Sequence, residues 1–196
     1  MASFGYNFRG TDTFVTDGAN ETYVLNEVYP TTRGGSTFGW DDPPERDDRN
    51  ASLDRRLAGA HKHSSDLSKR TFRADLATSG NKVLHLSVGD ADNDRNQQVV
   101  RILDTSTQVL LLDLSATSVP AGSSRDASNV TRTDANWPSQ EVGASATFAT
   151  TILYLELGSS SIDMNGNYSS LRHLNIVDDA GGGPTTVKRL TMLGVG

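Results

Sequence analysis

The sequence has no cysteine, so it offers no disulfide framework, no thiolate nucleophile and no zinc-binding cysteine cluster. The fold must hold by burial and hydrogen bonding alone. An excess of positive charge is missing too: 18 Lys and Arg against 24 Asp and Glu leave a formal net charge of -6. Nucleic-acid binding needs a basic stripe that releases counterions, and the densest basic stretch, Arg46 to Arg56, is interrupted by Asp47, Asp48 and Asp54. No nucleic-acid partner is expected. Long apolar runs are also lacking. Val109 to Leu112 is among the longest, against the ~18 residues a spanning helix needs, so no membrane partner is expected. The opening Met1-Ala2-Ser3-Phe4-Gly5-Tyr6-Asn7 has no basic start leading into an apolar stretch. The expectation is a protein made in a cytoplasm without a Sec-type export signal. Helical periodicity is scarce as well: Leu53 and Leu57 support one or two turns at most.

What is present is alternation. Phe72, Ala74 and Leu76 alternate with Arg73 and Asp75, and Leu84, Leu86 and Val88 alternate with His85 and Ser87, the period of a half-buried strand. Val99 to Asp104, Val109 to Leu114, Ala144 to Thr150, Ile152 to Leu157 and Leu171 to Val177 read as further strands, each bounded by Gly, Asn, Asp or Ser. The chain has 196 residues, 35% of them hydrophobic, and 18 glycines, enough for one core. Strands with one apolar face bury it by pairing two sheets, so the reading is an all-β antiparallel sandwich over residues 1–180. Residues 41–70, with Asp41-Asp42-Pro43-Pro44 and alternating charges, read as a long surface excursion. Ala180-Gly181-Gly182-Gly183-Pro184 reads as a joint before a C-terminal arm. That arm, within 181–196, carries Val187, Leu190, Met192, Leu193 and Val195, which suit either strand addition to a neighbouring subunit or packing against the arm's own domain.

The order of motifs carries a resemblance. Tyr6-Asn7-Phe8-Arg9-Gly10, Val15-Thr16-Asp17-Gly18, Tyr29 and Ser36-Thr37-Phe38-Gly39-Trp40 resemble the opening of galactose-binding-like jelly-roll domains, the superfamily of malectin-like domains and carbohydrate-binding modules. Thr71-Phe72-Arg73-Ala74-Asp75-Leu76, Gly80 and Val83 to Gly89-Asp90 are similar to its middle strands, and Ile152 to Gly158, Tyr168 and Leu171 to Ile176 to its closing pair. Arg9, Ala77-Thr78 and the insertion at 41–70 depart from the pattern. The resemblance implies a jelly roll. Such domains are most often appendages of secreted enzymes; one standing alone behind Met1 without an export signal fits a bacteriophage virion protein, made in the host cytoplasm.

Among candidate site residues, Asp90, Asp92 and Asp94 place carboxylates at alternate positions, as a Ca²⁺ loop begins. Arg95 and Arg101 stand where an EF-hand needs Gly and a bidentate Glu, so that motif fails; a sandwich-type Ca²⁺ site is the remaining metal reading, and turn chemistry is favoured over it. Trp40, Trp137, Tyr29 and Tyr168 could stack on a sugar ring, with Asp90, Asn93 and Arg95 supplying hydrogen bonds and Trp137, beside Pro138, the better exposed. Aromatics make up only 7% of the chain, and Trp40 fits a core position equally. His61-Lys62-His63 could present a metal pair, but no third ligand is indicated. No nucleophile elbow, H-E-x-x-H helix or phosphate-cradling loop occurs. The expectation is therefore a non-enzymatic structural or attachment protein of a phage particle, decorating the capsid or built into a tail or fiber. Its partners are other virion subunits, copies of itself included, and no cofactor is expected. The alternative is a carbohydrate-binding module that recognises a glycan.

Overall fold

Where the sequence alternates apolar and polar residues, the chain runs as strands. A computed structural model describes residues 3–10, 21–48, 54–63, 68–104, 109–159 and 169–179. In chain order these form β1 (Ser3–Phe8), β2 (Glu21–Val24), β3 (Thr31–Arg33), β4 (Ser36–Trp40), β5 (Glu45–Asp48), β6 (Gly59–His63), β7 (Arg70–Asp75) and β8 (Gly80–Asp90). They continue as β9 (Arg95–Asp104), β10 (Val109–Asp113), β11 (Ala116–Val119), β12 (Ser123–Arg125), β13 (Thr131–Thr133), the single-turn α1 (Trp137–Gln140), β14 (Ala144–Phe148), β15 (Ile152–Ser159) and β16 (Ser169–Asp178). A 3-10 turn, Arg55–Leu57, is the only other helical piece among the described residues.

The strands make two sheets, and the fold is the all-β sandwich of jelly-roll type that the sequence predicts. The first sheet runs β13-β12-β8-β16-β1-β2, with β14 also on β8, β6 on β16 and β5 on β6. The second runs β10-β9-β15-β7-β4-β3, with β11 also on β9. One pair departs from the antiparallel rule: β1 and β2 are parallel, from Gly5 opposite Glu21 to Phe8 opposite Val24.

Inward positions of both sheets bury Leu84, Leu86 and Val88 from one side and Phe72, Ala74, Leu153, Leu155 and Leu157 from the other. At one end of this core the rings of Tyr6, Phe8, Phe38, Trp40 and Phe72 interlock, with Phe8 and Phe72 edge to face at 5.2 Å between centroids. Quadrupolar rings prefer this geometry. Tyr6 shares a hydrogen bond with Ser36, and burial pushes its phenol up to about 12.

The described parts of 41–70, residues 41–48, 54–63 and 68–70, do not behave as a surface excursion. β6 pairs with the start of β16, Ser169 opposite His63 and Leu171 opposite His61, and β5 extends the sheet beyond it. Leu57, Ala58, Ala60 and His61 are buried. The segment was misread because its inward residues are small or imidazole rather than aliphatic: His61 stacks on Trp40 at 5.6 Å and meets the edge of Phe8. The expected arm, with Val187, Leu190, Met192, Leu193 and Val195, lies outside the described residues, as does Tyr168.

Candidate functional site

The two tryptophans do not form a sugar platform. Trp40 is fully buried in the aromatic core because Phe38 and Trp40 occupy alternate inward positions of β4. Trp137, expected in an exposed loop, is also fully buried. Pro138 favours the first turn of α1, and that turn folds the indole onto the outer side of the first sheet, where it meets His173 edge to face and lies under the Arg56 guanidinium, 4.8 Å from the ring centroid.

The Asp90 to Arg95 corner is a structural turn rather than a ligand loop. The Asp90 side chain is fully buried, paired with Arg95, and Oδ1 accepts the backbone N–H of Asp92 at 2.9 Å and of Asn93 at 3.2 Å. Asp94 accepts the N–H of Ala121 at 2.8 Å. Asp90, Asp92 and Asp94 therefore do not converge on an ion, and no group of three metal-ligating side chains exists among the described residues. Arg95 supplies the positive charge beside Asp90. His61 and His63 likewise do not form a metal pair. Each Nε2 bonds a main-chain carbonyl, that of Arg9 at 3.1 Å and of Ser68 at 2.9 Å. Desolvation drives the buried His61 imidazole down to about 4.

The residues that do converge lie on the outer face of the second sheet. Their assembly begins at Gly39. With Phe38 and Trp40 facing the core, Gly39 faces out, and a Cβ there would lie 2.4 Å from the backbone nitrogen of Tyr29. Its φ of +151° also lies where side chains are rarely found. Gly39 thus lets the chain at Val28 and Tyr29 come hard against β4, where Val28 bridges Trp40 in parallel through Tyr29 N–H to Trp40 O at 3.0 Å and Trp40 N–H to Glu27 O at 2.9 Å.

This close approach sets the Tyr29 ring against Arg73, the residue opposite Gly39 on β7. The guanidinium carbon sits 3.9 Å from the ring centroid, a cation–π contact. Asp75, two residues along the same face, receives the Tyr29 hydroxyl at 3.2 Å and the Arg73 Nε–H at 3.2 Å. Desolvation and the Asp75 charge hold the Tyr29 phenol above its ordinary range, and like any phenol it is a donor at neutral pH. Tyr154 of β15 stands opposite Arg73 on the other side. Tyr29, Asp41, Thr71, Arg73 and Tyr154 line a cleft of about 420 Å³, within the size range of small-molecule sites. Asp41 is anchored to β7 in both directions: its N–H meets Thr71 O at 2.9 Å, and its Oδ1 accepts Thr71 N–H at 2.7 Å.

Of these residues the sequence singled out only Tyr29. The signal for the others was available: Arg73 and Tyr154 are outward members of strands whose alternation is plain. An outward tyrosine between Leu153 and Leu155 is an aromatic that the core does not account for.

No protein-family model matches the chain, and no curated protein matches it. Among solved structures, a Bacillus subtilis protein, YXIM, aligns with a TM-score of 0.52 and 11% identity over 91% of this chain and 40% of its own. The chain thus spans well under half of that protein, and at this identity the likeness is one of fold alone. Weaker alignments reach two carbohydrate-binding modules of jelly-roll fold. One belongs to Cellvibrio mixtus lichenase 5A, solved with cellotriose, at a TM-score of 0.37 and 7% identity over 69% of this chain and 86% of that one. The other is the family 32 module of C. perfringens NanJ, solved with galactose, at 0.36 and 10% over 73% and 93%.

Proposed function

We propose that this protein is a non-enzymatic glycan-binding module whose site is the cleft on the outer face of the second sheet. The carrying observation is the grouping of two half-buried tyrosine rings with an arginine and aspartate that bond each other and Tyr29. A sugar ring has an apolar face and a rim of hydroxyls; tyrosine combines an apolar body with a polar tip in the same way. Arg73, Asp75, Asp41 and Thr71 supply donors and acceptors around the rings, and the fixed Tyr29–Arg73–Asp75 contacts lower the ordering cost of binding.

A glycan array probed with the folded protein tests this. Retention on at least one glycan, abolished by Tyr154→Ala and by Tyr29→Ala but not by Val130→Ser in the exposed turn between β12 and β13, is the expected result. A silent array with folding confirmed by circular dichroism overturns it. The phage-assembly role, through Val187, Leu190, Met192, Leu193 and Val195, rests on residues outside those described. Deleting 181–196 and measuring incorporation into particles tests it separately, and unchanged incorporation removes it.

A further inference from the structure

The registers of the second sheet place the cleft within a longer surface. Tyr154 is opposite Arg73 on one side and Leu103 on the other, and Leu103 is opposite Leu110 on the edge strand. With Gly39 opposite Arg73, the outward positions Leu110, Leu103, Tyr154, Arg73 and Gly39, the last overlaid by Tyr29, form one row across five strands. Four strand spacings make this row about 19 Å long. Leu110 is 48% exposed at its far end.

A second row runs beside it, two residues further along each strand. Glu156 lies between Arg101 and Thr71, and Arg101 is opposite Asp113. A β-bulge between Leu110 and Leu112 makes this possible: the extra residue Leu111 brings both Leu110 and Asp113 to the outer side while Leu112 packs toward the core. The basic groups of this surface are each matched. Arg101 bonds Asp113 at 3.2 Å, Lys69 bonds Glu156 at 2.8 Å and Arg73 bonds Asp75 at 3.2 Å. The surface therefore offers many donors and acceptors without a net positive field for an anionic chain.

We infer, building on the glycan-binding reading, that the ligand is a neutral, unbranched polysaccharide lying across the strands, its ring faces on the Leu110–Tyr29 row and its hydroxyls over the Asp113–Thr71 row. The site grips an internal stretch of chain and needs no chain end.

The test is calorimetric titration with disaccharide and hexasaccharide pairs of unbranched glucan, xylan and mannan, and with a hexameric oligogalacturonate as the anionic comparison. The inference expects one neutral hexasaccharide to bind at least about tenfold more tightly than its disaccharide, with the oligogalacturonate weaker still. Leu110→Asp, at an exposed position compatible with folding, should shrink that advantage to about twofold or less, and Val130→Ser should leave it intact. Equal affinity for short and long chains, preference for the oligogalacturonate, or a length advantage untouched by Leu110→Asp overturns the inference while leaving the cleft itself standing. Failure of every one of these saccharides to bind overturns this inference, and only a silent glycan array overturns the glycan reading as well.

Discussion

The outer faces of the two sheets have opposite fates. On the first sheet the outward side chains of β16 are roofed. Arg172 bonds Ser124 Oγ at 2.9 Å, Asp134 at 2.8 Å and the Leu57 carbonyl, and His173 lies beneath Trp137. Both are about 1% exposed. On the second sheet the outward Arg73, Tyr154, Arg101 and Leu103 carry no such roof among the described residues and are partly exposed. Polar side chains under a roof must be bonded internally, since a buried unpaired charge is costly. Those on the bare face keep hydrogen-bonding capacity for something outside. An aromatic residue's meaning thus depends on which sheet it stands over: Trp137 closes a face, whereas Tyr154 and Tyr29 furnish one.

The largest effect that would sharpen this contrast is Trp137→Ala. Removing a fully buried indole should cost ~3–5 kcal/mol in urea unfolding, while the folded fraction keeps its glycan affinity. Loss of affinity without loss of stability would reverse the roles assigned to the two faces. Next comes acid. The His61 imidazole titrates at about 4 in the fold, against 6.5 ordinarily. The unfolded chain therefore binds more protons between those values, and stability is full above pH 6.5 and falls as pH drops toward 4. The size is ~3 kcal/mol, read from melts across that window; His61→Gln should flatten the slope. Gly39→Ala is expected to cost at least ~1–3 kcal/mol through backbone strain, with the overlap of its Cβ and the Tyr29 backbone added to it, and to weaken glycan binding by displacing Tyr29. Wild-type affinity in this variant would show that the close approach at Tyr29 does not shape the site. Tyr154→Ala should have the smallest effect on stability, about 1 kcal/mol or less, yet lower glycan affinity by at least about tenfold.

The sequence made the sandwich legible wherever a strand carries its own alternation, as in β7, β8, β15 and β16. It hid β5, written Glu-Arg-Asp-Asp, and β12, written Ser-Ser-Arg. Such strands exist because distant partners satisfy their backbone, β6 for the one and β8 and β13 for the other. The site was less legible for the same reason. Tyr29 and Arg73 meet only because Gly39 admits the chain at Val28 and Tyr29 hard against β4, and neither that contact nor the row through Leu103 and Leu110 is local in sequence. The Asp90 cluster was legible as turn chemistry from Arg95 and Arg101 at the two positions where a calcium loop needs Gly and Glu, but only the fold shows that Arg95 turns back onto Asp90.

That turn has a practical corollary. The corner after β8 carries its own counter-ion, bonded into the chain five residues downstream of the acid it neutralises. The chain passes from β8 of the first sheet to β9 of the second on ingredients it brings with it, so the corner is expected to keep its shape in added calcium or in a chelator, which melting curves in the two media would check.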